Sequence, residues 1–63
     1  MTLKEIISTI PRATYIVVEN KNGHRGFEGF AYDYPMNVED QDVHTFYPGN
    51  DWKARKILTI VLK

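Results

Sequence analysis

The apolar residues at the start of the chain recur at a helical spacing. Leu3, Ile6, Ile7 and Ile10 fall at i, i+3, i+4 and i+7, and Lys4, Glu5, Ser8 and Thr9 lie off that stripe. The spacing predicts one amphipathic helix. Thr2 followed three positions later by Glu5 is a capping box, in which the hydroxyl accepts from the amide of Glu5 and the carboxylate accepts from the amide of Thr2, so the helix begins at Leu3. Pro11 ends it.

Beyond Pro11 the pattern changes to β-branched and aromatic residues. Thr-Tyr-Ile-Val-Val-Glu over 14–19 predicts a strand, because these side chains pack well on a pleated surface and lose rotamer freedom in a helix. Asn20-Lys21-Asn22-Gly23 reads as a hairpin turn, with Asn22-Gly23 suited to positive φ angles. A second strand is expected over 25–32. Pro35 interrupts it, and Asn37 with Asp40 three positions on predicts a single helical turn before the chain resumes at Val43. A short third strand over 43–47, a turn at Pro48-Gly49-Asn50-Asp51 and a last strand over 55–62 complete the chain, with Leu58, Ile60 and Leu62 sharing a face. The fold class expected is α+β: an N-terminal helix packed on one face of a four-stranded, mainly antiparallel sheet, in the order α-β-β-turn-β-β, with residues 1–63 as a single domain.

One helix covers only one face of such a sheet. If the small residues Gly29 and Ala31 lie under the helix, alternation sends Phe30 and Tyr32 to the other side. Tyr15 and Val17 join them if Ile16 and Val18 are core, and Ile57 and Val61 follow if Leu58, Ile60 and Leu62 are core. An open apolar face results. A slip of one residue gives the opposite arrangement and buries the aromatics under the helix. Aromatic residues make up 13% of the chain, so which face they occupy decides what the surface offers.

Length sharpens the question of stability. A chain of 63 residues encloses a small core, and the absence of cysteine removes disulfides and most zinc sites as supports. Close packing or self-association remains. The lack of thiols also fits a reducing compartment, and the chain is read as cytoplasmic. The apolar run over 57–62 is six residues long and contains Thr59, far short of the roughly 20 needed for a membrane span. The first residues carry one lysine and spaced rather than contiguous apolar positions, unlike an export signal, so no membrane partner is expected.

Eight basic and eight acidic side chains cancel, which excludes a long-range attraction of the whole molecule for polyanions. The charges are nevertheless segregated. Residues 26–51 contain six carboxylates and no lysine or arginine, whereas Lys53, Arg55, Lys56 and Lys63 face no acid from residue 52 onward.

Catalytic and metal chemistry find no foothold. His24 and His44 have no carboxylate or second ligand at a diagnostic spacing, and a solvated histidine is the ordinary reading of each. Glu39-Asp40-Gln41-Asp42 lacks the rhythm of a calcium loop and reads as a solvated turn. Ser8 has no nucleophile-elbow glycines around it, and Gly26-Phe27-Glu28-Gly29 lies within a strand rather than between a strand and a helix, where a phosphate cradle would sit. Its glycines suggest a bulge or a close approach. No catalytic residue, metal site or cofactor is expected.

The succession of a helix, Ile16-Val17-Val18, a glycine turn, Glu28-Gly29-x-Ala31-x-Asp33-x-Pro35, Asp42-Val43 and a closing strand resembles small uncharacterised proteins encoded by bacteriophages and mobile elements of Gram-positive bacteria. The likeness spans nearly the whole chain and carries no assigned functional residue. It differs in the 20–25 turn and at Phe46-Tyr47-Pro48. What it implies is an accessory protein that binds a host protein, in some cases as an inhibitor of defence systems.

The function expected is therefore a non-enzymatic protein-interaction module, with a homodimer as one form, whose contact residues are Tyr15, Val17, Phe30, Tyr32, Ile57 and Val61. The alternative is single-stranded nucleic-acid binding, with Tyr15, Phe30 and Tyr32 stacking bases and Lys53, Arg55 and Lys56 holding phosphates. The neutral net charge counts against it. So does Glu28, an anion within Arg25-Gly26-Phe27-Glu28-Gly29-Phe30 where an RNA-recognition strand would meet phosphate.

Overall fold

The computed structural model describes residues 1–50 and 53–63. Helix α1 spans Leu3–Thr9, and four strands follow: β1 Tyr15–Glu19, β2 Arg25–Phe30, β3 Val43–Asn50 and β4 Lys56–Leu62. They form one sheet in the order β2-β1-β4-β3. This is the expected α+β architecture, mainly antiparallel as anticipated.

Strands β1 and β2 pair antiparallel, as do β3 and β4, but the two hairpins meet through a parallel pairing of β1 with β4. A parallel neighbour requires a crossover. Residues 31–42 and strand β3 make it, carrying the chain to the far edge before β4 returns to the centre. The central strands β1 and β4 consequently hold the most deeply buried residues, Ile16 and Ile60, both fully enclosed.

Helix α1 starts as its capping box predicts. The Thr2 hydroxyl accepts from the Glu5 amide, and the Glu5 carboxylate accepts from the Thr2 amide at 3.0 Å. Leu3, Ile6 and Ile7 turn inward against Ile16, Val18, Ala31, Val43 and Ile60, and Ile10, Phe27, Tyr34, Leu58 and Leu62 pack around that cluster. All of these contacts lie on one side of the sheet.

Several local expectations are corrected. Residues 37–40 do not form a helical turn; a tight turn at residues 35–38, with the Val38 amide on the Pro35 carbonyl, replaces it. Asp40 serves instead as a clamp on α1, accepting from the Lys4 amide at 3.0 Å. Strand β3 runs through Pro48 and Gly49 to Asn50 instead of turning there. A proline is compatible with this because β3 is an edge strand, where a missing donor faces solvent. The structural side of the expected turn at Asp51 lies outside the described residues.

The second strand ends at Phe30, and Ala31–Asp33 wind into a 3-10 turn. The Ala31 amide still bonds the Thr14 carbonyl, but the next amide, of Tyr32, reaches back to Arg12. In the first hairpin only Gly23 takes a positive φ, +85°. Asn20 supplies the rest of the turn, its side chain accepting from the amides of Asn22 and His24.

Candidate functional site: the uncovered sheet face

Alternation along the strands divides the side chains between the two faces, and the register lines them up in rows. The side away from α1 reads, across β2-β1-β4-β3, Phe30-Tyr15-Ile57-Gly49, then Glu28-Val17-Thr59-Tyr47, then Arg25-Glu19-Val61-Thr45. No helix lies over these rows.

Five of the six residues expected there, Tyr15, Val17, Phe30, Ile57 and Val61, are in place. They are less open than the word face implies. Val17 is 5% exposed although it stands outside the core cluster. Tyr15, Phe30, Ile57 and Val61 are half-buried.

Tyr32 departs from its expected position. It sits on the 3-10 turn rather than on a strand, 53% exposed, and its ring stacks on that of Phe30 with centroids 5.3 Å apart and planes within 4°. On its other side it borders a small hollow of about 170 Å³ with Ile7, Ser8 and Met36. It wraps the edge of β2 and belongs to both sides.

Phe30 in turn meets Tyr15 edge to face at 5.3 Å, and the Arg55 guanidinium lies 4.4 Å from the Tyr15 ring centre. Edge-to-face pairs and a cation over a ring are both favoured by the ring quadrupole. The Tyr15 hydroxyl donates to Glu28, whose other carboxylate oxygen takes Arg25 Nη1 at 2.6 Å. The result is a ridge of three rings in which the Tyr15 hydroxyl is tied to Glu28.

Beside the ridge lies a hollow of about 450 Å³. Val17, Ile57 and Thr59 form its floor, Gly49 and Tyr47 one wall, and Arg25 with Glu28 the other. Gly49 deepens it: a Cβ built there meets nothing within 4 Å. Glu19 and Arg55 also border it, so both signs of charge surround an apolar floor.

The core side explains where the other aromatics went. Phe27 folds its ring over Gly29, 3.3 Å from where a Cβ would be, and meets Tyr34 edge to face at 5.2 Å. Gly29 thus makes room for Phe27, not for the helix as expected. Aromatic residues occupy both faces, and neither of the two alternative registers expected all of them correctly.

Sequence reasoning missed Tyr47 and Phe46, 49% and 45% exposed on opposite sides of β3. Both lie within the strand expected over 43–47, and it is the pairing with β4 that assigns their faces. Of the cationic cluster Lys53, Arg55 and Lys56, Arg55 lies on the Tyr15 ring, while Lys56 heads β4 in register with Asn50, on the parity of the core-side residues. His24 and His44 are exposed, and no group of three metal-ligating side chains occurs among the described residues.

Comparison of the chain with protein-family models, with curated proteins and with solved structures returns no match. No helix among the described residues is long and apolar enough to cross a membrane.

Proposed function

We propose that the chain is a non-enzymatic protein-binding module, an accessory protein of the kind carried by mobile elements of Gram-positive bacteria and working in the cytoplasm, and that its contact surface is the uncovered sheet face. The observation that carries this reading is the aromatic ridge of Tyr15, Phe30 and Tyr32, set beside a hollow floored by Val17, Ile57 and Thr59 and walled largely by polar side chains. Protein interfaces favour such a composition: an apolar, aromatic centre with a polar rim of both signs. Three titratable side chains of this face are engaged with one another, Tyr15 with Glu28 and Glu28 with Arg25.

Base stacking fits the face less well. Arg55 covers the Tyr15 ring, Phe30 and Tyr32 stack on each other, and Glu19 and Glu28 stand where phosphates would pass.

Affinity capture from a bacterial lysate tests the reading when three forms are compared: wild type, Ile57→Glu on the uncovered face and Ser8→Glu on the solvent side of α1. A protein retained by wild type and Ser8→Glu but lost with Ile57→Glu is expected. Retention indifferent to Ile57→Glu, with the variant's circular dichroism unchanged, contradicts the reading.

A further inference from the structure

The uncovered face carries, in each row, features that complement one another across its own midline. Row by row, β2 opposes β3 and β1 opposes β4 about a line running between the two central strands. Phe30, on the ridge, has as its counterpart Gly49, in the wall of the hollow. Glu28 has Tyr47. Tyr15 has Ile57, and Val17 has Thr59.

We propose that the occupant of this face is a second copy of the chain, packed sheet against sheet about a two-fold axis that runs along the strands between β1 and β4. This rests on the reading of the face as a protein-binding surface and names its partner. The operation lays β2 of one copy over β3 of the other. Each Phe30 ring then enters the space that Gly49 leaves empty in the other copy, each Tyr15 covers Ile57, and each Tyr47 hydroxyl meets Glu28.

The axis is chosen by charge as well as by shape. Within the three rows no like charges oppose, since Arg25 faces Thr45, Glu28 faces Tyr47 and Glu19 faces Val61, while Arg55, over the Tyr15 ring, lies beside the axis in both copies. A two-fold axis across the strands would instead place Glu28 on Glu28 and bury both. Two arginines and two glutamates border the hollow, so two copies meet without net repulsion.

The sheet edges are poorer places for a second copy. On β3 the ladder is broken on the outer side by Pro48, and the Val43 amide at its start is taken by Met1. On β2 the register shifts between Val18 and Glu19, opposite Gly26, and the strand is only six residues long.

The face is small. Four strands about 4.8 Å apart and roughly five residues long span a face on the order of 300 Å² per copy, smaller than a standard interface of about 800 Å² per partner, so a weak, concentration-dependent dimer is expected.

Sedimentation velocity from about 5 µM to about 1 mM, on wild type and Gly49→Leu, tests the proposal. A Cβ at 49 meets nothing within 4 Å and the position is on an exposed edge strand, so leucine there is expected to occupy the hollow, leave the fold intact and weaken the dimer by at least tenfold. The expected result is a wild-type mass rising toward twice the 7.3 kDa of one chain and a monomeric Gly49→Leu. Isotope-filtered NMR of a mixed-label wild-type sample supplies a readout that no variant can spoil: contacts between the Phe30 ring of one copy and Gly49 of the other. A wild type that stays monomeric overturns the proposal and leaves the lysate comparison to judge the face separately. A dimer that tolerates Gly49→Leu, or that lacks the Phe30 to Gly49 contact, overturns it too.

Discussion

Asp40 shows how one side chain ties the segment between the hairpins to the helix. The Thr2 hydroxyl and then the amide of Lys4 hold its carboxylate below the usual carboxylate range, although it lies at the surface. Because the folded state binds this proton less readily than the unfolded chain, its stabilisation is present above the ordinary carboxylate pKa and is lost as pH falls through the depressed value. Asp40→Asn should therefore lower the melting temperature at pH 7 and flatten its decline between about pH 5 and pH 2. Equal acid slopes for the two proteins would refute this. Tyr34 has the opposite sense: burial first, and the Asp40 charge second, push its phenol up. Its stabilisation is present below the ordinary phenol pKa and fades at higher pH, and in an alkaline ultraviolet titration it should ionise above the typical tyrosine range.

At the same scale Tyr32 separates a surface role from a core one. Its exposure and its position on a 3-10 turn predict that Tyr32→Ala costs on the order of 1 kcal/mol or less. Ile16→Ala, at a fully enclosed position on a central strand, should cost about 2–5 kcal/mol. Thermal or urea melts of the two variants give the comparison directly, and a loss of fold in Tyr32→Ala would contradict the placement of that ring.

Among the elements, those whose signals are local were legible. Thr2 and Glu5 announce the start of α1, Pro11 its end, and the β-branched run Ile16-Val17-Val18 a strand. The signals that misled were also local ones overridden by partners. Pro48-Gly49 reads as a turn until β4 is present to pair with it, and Asp40 reads as part of a helical turn until the free amide of Lys4 is brought to it. Tyr32 follows a strand's alternation on paper, but the chain must bend there for its amide to reach Arg12. The hairpin turn offers a test at this scale. Gly23 has a φ of +85°, so Gly23→Ala should destabilise the protein by about 1 kcal/mol, whereas the same change at Gly49, with ordinary φ and open space, should cost nothing or stabilise β3 slightly. Equal effects in urea melts would contradict the assignment of strain to residue 23 rather than to residue 49.

For the whole molecule, the parallel junction of β1 with β4 was beyond the reach of periodicity. Two hairpins in sequence fit several strand orders, and only the crossover of residues 31–42 brings the two most apolar strands to the centre. Five of the six face residues survive that change because alternation depends on each strand and not on their order. The face so formed has an apolar floor and a charge-balanced rim, and titration with mixed-sequence single strands at about 50 mM salt should show no salt-sensitive binding. The central claim is that contacts are made through this face and not through the helical side. Placing a photo-crosslinking amino acid at Ile57, and in a second protein at Ser8, tests it most directly, with irradiation at high protein concentration and in host lysate. Covalent adducts to another polypeptide at position 57 and none at position 8 are predicted; adducts at position 8, or a position 57 that remains unreacted in both settings, would contradict the account.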